Sequence, residues 1–203
     1  MSDPSITHTT RELLLALRTD DDEGDWRRFD LRYRPLLAGV LRRMGLRDAD
    51  AEDLAQEVLV RFITALRDGS FQAGPHRLRG WLVRTARWRA IDHFRVRRPD
   101  PVRDSVLVEL PGAEAFEAAW EREQKERVLA EAVRVLRTSG SFIESTVQVF
   151  ERTVLQERPV QEVADELGMT VGAAYVAKHR YTKSLKAVIA RIEAAYNDDP
   201  SIE

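Results

Sequence analysis

The sequence predicts an all-α protein that consists of two small helical domains joined by a proline-rich linker, with a helix-turn-helix in the second domain. Three observations support this. Apolar residues recur at helical spacing through most of the 203 residues. Three prolines and a glycine interrupt the pattern before residue 113, and a short helix, a glycine and a long basic helix close it. We expect a first domain over residues 1–96, a linker over 97–112 and a second domain over 113–203.

The composition restricts the class of protein before any motif is considered. Hydrophobic residues make up 43% and charged residues 33% of the chain, as is typical of a soluble globular protein. The absence of cysteine excludes disulfides and thiolate metal ligands. No apolar run approaches the roughly 20 residues that cross a bilayer, and the N-terminus does not resemble a signal peptide. We therefore expect a cytoplasmic protein that does not contact a membrane.

The net charge of −2 conceals an uneven distribution. Positive charge is concentrated between Arg77 and Arg98, whereas acids collect in residues 20–25, 48–57 and 109–126 and in the C-terminal tail. A chain with so little net positive charge is expected to bind DNA weakly by itself. If it binds DNA, a larger partner should supply most of the affinity.

Three helices are expected in the first 70 residues. A short helix begins at Thr10. An amphipathic helix follows from Asp25, its candidate N-cap, to about Gly45, and Pro35 is a position where it can kink. The third helix begins near Asp48 and has an apolar stripe. The residues of this stripe are Leu54, Val58, Phe62, Ala65 and Leu66.

The opposite face of the third helix is polar over a longer distance than helix stability requires. Acids in a first turn interact favourably with the helix dipole, by about 0.3–1 kcal/mol each, which accounts for Asp50 and Asp53. Glu57 can pair with Arg61, four residues later. Neither effect requires Gln56 and Glu57 to extend the polar face. Because these acids lie on a continuous helix and not on a ligand loop, we do not expect them to bind a metal.

The stretch from Arg77 to Arg98 contains eight arginines and a single acid, Asp92, and predicts one helix of about six turns. Its apolar arc consists of Leu78, Leu82, Val83, Ala86, Ala90 and Phe94. The other side carries Arg84, Arg87, Arg95 and Arg98 around Ile91, with Trp81 and Trp88 along one edge. Arg79 and Arg89 are exceptions, because they fall on the apolar side.

This combination of arginine and tryptophan is typical of a nucleic-acid surface. Arginine neutralises phosphates, and an exposed tryptophan offers an unpaired base a stacking surface worth roughly 1–3 kcal/mol. The alternative is that the arginines form a solvated face and that the tryptophans belong to the core.

The second half is expected to contain helices over about 114–137, 142–155 and 160–167, followed by a long C-terminal helix. Thr170 is the expected N-cap of that last helix, and Gly168 supplies the tight corner. The first residues of the last helix would face bases in a DNA major groove. The basic residues that follow are Lys178, His179, Arg180, Lys183 and Lys186.

No catalytic arrangement is present in the sequence. The four histidines are scattered without partners at metal-ligand spacing, and there is neither a glycine-rich phosphate loop nor a nucleophile elbow. We therefore expect neither enzymatic activity nor a cofactor.

A DAED-L-x-QE helix, a loop, the run RGWL-x-R-x-AR-x-x-AIDHFR, a proline-rich break and a C-terminal helix-turn-helix follow one another in this chain. This order resembles bacterial RNA polymerase sigma factors, more narrowly the extracytoplasmic-function (ECF) type, which keeps conserved regions 2 and 4. The resemblance covers about residues 10–98 and 114–190. It implies that the chain binds core polymerase and directs initiation at specific promoters.

The resemblance also implies roles for individual residues. The acidic helix would dock on the clamp coiled coil of the largest polymerase subunit, and region 4 would contact the flap of the second-largest subunit. The polymerase-binding residues would be Asp50, Asp53, Gln56 and Glu57. The loop from Phe71 to His76 would capture a flipped base, and the arginine helix would hold the minus-ten element, with residues Arg77, Trp81, Arg84, Arg87, Trp88, Arg95 and Arg98.

The C-terminal helix would read the minus-thirty-five element. Its implied DNA-binding residues are Thr170, Ala173, Tyr175, Val176, Lys178, His179, Arg180 and Lys183. Two departures from the family pattern concern DNA contacts. Trp88 replaces a common asparagine, and the stretch AAYVA lacks the usual lysine and arginine. Tyr175, Val176 and Ala177 can touch a thymine methyl but donate fewer hydrogen bonds to guanine, so we expect weaker or altered minus-thirty-five readout.

A second hypothesis is an autonomous helix-turn-helix regulator that binds DNA without polymerase, with the N-terminal half as a dimerisation or sensing module. The net charge, the acidic face and the arginine–tryptophan helix favour the sigma factor. Control is expected from outside the chain, through an anti-sigma protein, a kinase or expression level. Thr64 lies on the same side of its helix as Asp53, so its phosphorylation would change the docking charge.

Overall fold

The computed structural model describes residues 10–19, 23–71, 77–96 and 111–197, and every regular element among them is helical. The prediction of an all-α fold is therefore confirmed. The α-helices are, in chain order, α1 Thr10–Thr19, α2 Glu23–Arg43, α3 Asp48–Arg67, α4 Arg77–Val96, α5 Ala113–Thr138, α6 Glu144–Phe150, α7 Val160–Glu166 and α8 Val171–Asn197. A π-helical turn, Glu151–Leu155, continues α6. None of the helices in these ranges combines the length and the apolar character that a bilayer span needs.

The chain divides into two compact units, residues 1–127 with 195–203, and residues 128–194. The division falls inside α5 and not in the predicted linker, of which residues 97–110 lie outside the described ranges. The physical reason is that Phe116 and Trp120, near the start of α5, are buried with the core of the first unit. The assignment of separate functions to residues 1–96 and 113–203 stays a prediction.

The core of the first unit is centred on one aromatic ring of α3. The Phe62 ring is stacked on that of Phe29 in α2, with 5.4 Å between their centroids. It also meets Phe71 edge-on at 4.9 Å and Trp81 of α4 edge-on at 5.4 Å. Aromatic contacts at these distances and angles are favourable beyond the area they bury. Phe62 therefore connects α2, α3, α4 and the residues that follow α3.

Helix α2 differs from the prediction at its start. It begins at Glu23, so Asp25 lies in the first turn and is not the N-cap. There the Asp25 carboxylate accepts a hydrogen bond from Arg28 at 2.5 Å, and an acid in a first turn also faces the positive end of the helix dipole. Pro35 lies inside the helix, which continues to Arg43 and is followed by Gly45 with a φ of +94°.

The acids at the start of α5 pair with arginines of the first unit. Arg79 donates to Glu117 at 2.6 Å and to Glu121 at 3.2 Å. Arg43 donates to Glu123 at 3.1 Å and to Glu126. Part of the acidic stretch that the sequence showed over 109–126 is therefore balanced within the fold.

In the second unit, α7 and α8 are joined by the turn 167–170, in which Gly168 has a φ of +62°, a conformation that suits glycine. The Thr170 hydroxyl accepts a hydrogen bond from the Ala173 N–H at 3.2 Å, which confirms it as the N-cap of α8. Small buried residues let the helices approach closely. These are Val163, Ala164, Ala174 and Ala177.

Candidate functional site

The outward face of α4 carries cations and an indole that the fold leaves free. Arg84 and Arg95 are exposed, and neither has a carboxylate partner in the described part of the chain. Trp88, between them on the same face, is 56% exposed. Arg87 is half-buried, and its Nε has no hydrogen-bond partner among the described residues. This face can contact phosphates and stack on a base.

The two arginines that fall on the apolar side of α4 are neutralised within the first unit. Arg79 pairs with Glu117 and Glu121 of α5. Arg89 donates from Nη2 to both oxygens of Glu57, at 2.5 and 2.6 Å. The apolar arc itself is buried except at Phe94, which is half-buried, and Leu82 and Ala86 are fully inside. Of the arginines predicted on the outward side, Arg84 and Arg95 are exposed and Arg87 is half-buried, while Arg98 is outside the described residues.

Two aromatic residues of the predicted DNA-binding set are turned inward. Trp81 is half-buried and packs edge-on against Phe62. Phe71 is only 8% exposed and contacts the other side of the same cluster. Both residues lie in the core that positions α4, whereas Trp88 lies outside it. The side chain of Arg77 and the residues His76 and Arg98 are outside the described part of the structure.

Only two of the four residues predicted to bind polymerase lie on the outward face of α3. Asp53 and Gln56 are exposed and have no side-chain partner in the described ranges. Val60, 51% exposed, and Thr64 continue the same stripe toward the end of the helix. We call Asp53, Gln56, Val60 and Thr64 the α3 stripe.

A groove of about 420 Å³ adjoins the α3 stripe, between α1, α2 and α3. Its apolar lining consists of Leu17, Trp26, Val60 and Ile63. Glu23, Thr64 and Arg67 complete the lining. Nothing in the sequence singled out Trp26 as part of a surface. Its half-exposed position follows from the packing of three helices, and the periodicity of one helix does not reveal that packing.

The other two members of the predicted polymerase-binding set turn toward α4. Glu57 accepts hydrogen bonds from Arg89 and, at 3.2 Å, from Arg61, so the predicted pair with Arg61 is present. The hydrogen bond from Arg89 lowers the pKa of the Glu57 carboxyl below its ordinary value near 4.5. The Asp50 carboxylate lies 3.0 Å from Nε of Arg47 and 3.7 Å from Nε2 of His93.

The lowered pKa of Glu57 predicts a pH-dependent contribution to stability. A carboxyl whose pKa is lower in the folded than in the unfolded chain stabilises the fold above its unfolded pKa. The difference in the free energy of unfolding between the wild type and Glu57→Gln should therefore be present at neutral pH. It should shrink as the pH falls below about 4.5 and through the folded-state pKa.

Urea denaturation of both proteins at a series of pH values measures this difference. Asp53→Asn is the matched control, because Asp53 is exposed and unpaired in the described part of the chain. A difference for Glu57→Gln that grows toward acid pH would contradict the expected direction.

The residues predicted to read duplex DNA lie mostly on the surface of the second unit. Tyr175 and Val176 are each 58% exposed. Lys178 is half-buried. The exposed members of the set are Thr170, Ala173, Tyr175, Val176, His179, Arg180 and Lys183. Ala177 is buried against α7, so the expectation that it touches a thymine methyl is not supported by its position.

The described residues contain no group of three histidine, aspartate or glutamate side chains that could hold a metal ion. The pairing between α3 and α4 was missed from the sequence, although one signal was available. Arg89 fell on the apolar arc of its helix, where a cation needs a partner, and the nearest helix in sequence carries the acids.

Comparisons with known proteins give one family match and a similar solved structure. The family model described as Sigma-70 region 2 matches residues 30–99, which include α3, α4 and most of α2. No curated protein matches. One similar solved structure is that of CnrH in complex with the cytosolic domain of CnrY, with 22% sequence identity. The match covers 89% of this chain and 96% of that chain, with a TM-score of 0.36. The family match therefore covers 70 of the 203 residues and lies wholly within the first unit.

Proposed function

We propose that this chain is a sigma factor of the ECF type, which binds core RNA polymerase and directs it to promoters. The observation that carries the proposal is the pair of outward faces in the first unit. Asp53 and Gln56 of the α3 stripe offer a protein partner polar groups without side-chain partners in the described ranges, and Arg84 and Arg95 of α4, likewise without carboxylate partners there, flank an exposed indole. Both faces fall within the segment that matches region 2.

We propose that Asp53 and Gln56 contact the clamp coiled coil of the largest polymerase subunit. They are the members of the predicted set that remain exposed and without partners in the described ranges. The adjoining Val60 adds apolar area, and such a mixture of polar rim and apolar centre is usual in protein interfaces. The flap of the second-largest subunit stays the proposed partner of region 4.

Strand opening would depend on the outward face of α4. Arg84 and Arg95 are placed to neutralise phosphates, while Trp88 lies between them for stacking on an unpaired base. Stacking and phosphate contacts stabilise the single strand, so the equilibrium between paired and open promoter shifts without any bond being broken. The protein acts in this way without being an enzyme.

The exposed Tyr175 and Val176 would meet the minus-thirty-five element in the major groove. These side chains favour contact with thymine methyl groups over hydrogen bonds to guanine. His179, Arg180 and Lys183 would hold phosphates. Sequence discrimination by this helix is therefore proposed to be weak. Most of the promoter selectivity would come from the other DNA contacts of the holoenzyme.

The requirement for polymerase follows from the charge balance. The chain has a net charge of −2, and Arg43, Arg79 and Arg89 are already paired with carboxylates. Pairing of this kind removes part of the positive charge from phosphate contacts, and affinity for DNA rises with the number of phosphates neutralised. We therefore propose that the protein acts inside the cell as a polymerase subunit.

Control is proposed to come from outside the chain. A protein that covers the α3 stripe, as an anti-sigma protein would, blocks core binding by occupying the same residues. A kinase acting on the exposed Thr64 would place about two negative charges at the end of this stripe.

The experiment that tests the proposed function is run-off transcription on a library of genomic fragments with purified core polymerase. Added protein should produce discrete new start sites. Asp53→Arg should weaken binding to core by about tenfold or more, roughly 1.4 kcal/mol, because the reversed charge is unpaired in the interface.

Glu193→Arg is the matched control for Asp53→Arg, since Glu193 is also exposed and belongs to α8 of the second unit. Its affinity for core should equal that of the wild type. The alternative function is correct if the wild type neither binds core nor changes the start sites that core uses, yet binds a palindromic duplex alone. The protein would then be an autonomous regulator.

A further inference from the structure

Helices α3 and α4 are joined by polar pairs at two levels. At one level, Arg89 contacts both carboxylate oxygens of Glu57, and Arg89 and Glu57 keep only 30% and 35% of their side-chain surface exposed. At the other level, His93 lies 3.7 Å from Asp50, and the two side chains are 18% and 14% exposed. The nearby charges are Arg61 on Glu57, Arg47 on Asp50, and Asp92 at 3.6 Å from Arg89.

The spacing of these pairs fits two antiparallel helices. Asp50 and Glu57 are two turns apart on α3, and their partners His93 and Arg89 follow in the reverse order on α4. Further along, about two turns from Arg89 on α4 and about one and a half turns from Glu57 on α3, the edge-on contact between Phe62 and Trp81 continues the same interface. Polar groups therefore mark one end of this interface and aromatic rings mark the other.

The polar pairs restrict how α3 and α4 can slide or rotate on each other, which the apolar contacts do not. Leu82, Ala86 and Val58 belong to one buried apolar cluster, and apolar packing is non-directional, so it tolerates a small slide or rotation of one helix on the other. Both oxygens of the Glu57 carboxylate accept from one nitrogen, Nη2 of Arg89, and charge-assisted hydrogen bonds weaken when their distance and angle change. In some proteins polar pairs between helices set register while adding little net stability.

We propose that the Glu57–Arg89 and Asp50–His93 pairs set the register between α3 and α4, and that Glu57 and Asp50 are positioning residues for the DNA-binding face of α4. This inference rests on the proposed function and assigns to two members of the docking helix a role in strand opening. Trp88 directly precedes Arg89, so any displacement of Arg89 moves the indole and the flanking Arg84 and Arg95 together.

A charge exchange tests the pair. The proteins are Glu57→Arg, Arg89→Glu and the double variant with both changes, each assembled with core polymerase on a promoter found by run-off transcription. Affinity for core is measured by fluorescence anisotropy of the labelled protein. The rate of strand opening at saturating core is measured with 2-aminopurine in the minus-ten element.

Each single variant should open the promoter about tenfold more slowly, and the double variant should recover most of the rate. Arg89→Glu should keep its affinity for core within about threefold. Asp53→Arg combined with Arg89→Glu is the matched control and should recover nothing, because Asp53 does not contact Arg89. A double variant that opens as slowly as either single variant overturns the proposal. So does a Glu57→Gln variant whose defect lies entirely in core affinity.

Amide hydrogen exchange of the free full-length protein tests the register independently of transcription. Glu57→Gln and Arg89→Gln should each accelerate exchange in α4, and the double variant should add little to either. Additive acceleration, or none, overturns the proposed pair. If instead the wild type fails to direct transcription while the exchange pattern is as expected, the proposed function fails and the register remains.

Discussion

Replacement of Phe62 by alanine is expected to lower the free energy of unfolding by about 3–5 kcal/mol, the usual cost of removing a buried phenylalanine ring. The ring is fully buried and contacts Phe29, Phe71 and Trp81. Its loss would leave a cavity that these three rings line from different segments of the chain. The cost should fall in the upper part of the range, because rings held by separate elements cannot collapse together into the space.

Urea denaturation followed by circular dichroism measures this loss. Val60→Ala is the matched control on the same helix, since Val60 is 51% exposed, and it should change the free energy by about 0.5 kcal/mol or less. A loss below about 1 kcal/mol for Phe62→Ala would show that the ring is not central to the core.

The position of Phe62 explains how one short helix serves both functional faces. Phe62 and Asp53 are nine residues apart, two and a half turns, so they lie on opposite sides of α3. The outer side is left for a partner, while the inner side holds Trp81 and thereby α4. A change in Phe62 is therefore expected to disturb strand opening as well as stability.

Local periodicity was sufficient to predict the elements but not the exposure of every side chain on them. Trp81 and Trp88 are seven residues apart and lie on nearly the same side of α4, so the helical pattern treats them alike. In the structure Trp81 is half-buried and Trp88 is 56% exposed. The difference arises because Phe62 reaches across from α3 at the level of Trp81. Such a contact depends on tertiary packing and is not visible in the pattern of one helix.

The same reasoning applies to charge. The sequence predicted the pair of Glu57 with Arg61, four residues away, and the structure contains it. It did not predict the pair of Glu57 with Arg89, since 32 residues and a loop separate them. It also placed Trp120 in the second module, whereas this residue is buried with the first unit. Contacts within one helix follow from spacing, and contacts between helices require the fold.

Replacement of Trp88 by alanine is expected to slow strand opening by about 5- to 150-fold, which corresponds to the loss of 1–3 kcal/mol of stacking on one base. The stability of the protein should change little, because the indole lies largely outside the core. Trp88→Phe should recover part of the rate, since stacking requires an aromatic face and not an indole N–H. Binding of the holoenzyme to duplex DNA should be affected less than opening, because stacking needs an unpaired base.

The measurement compares opening, reported by 2-aminopurine in the minus-ten element, with the affinity of the holoenzyme for the corresponding single strand. Val96→Ala is the matched control, since it removes an 81% exposed apolar side chain from the same helix without removing a ring. If Trp88 stacks on an unpaired base, both quantities fall together in Trp88→Ala and neither falls in Val96→Ala. If opening slows while single-strand affinity is unchanged, the indole acts on the duplex instead, and the arginines beside it must supply the grip on the melted strand.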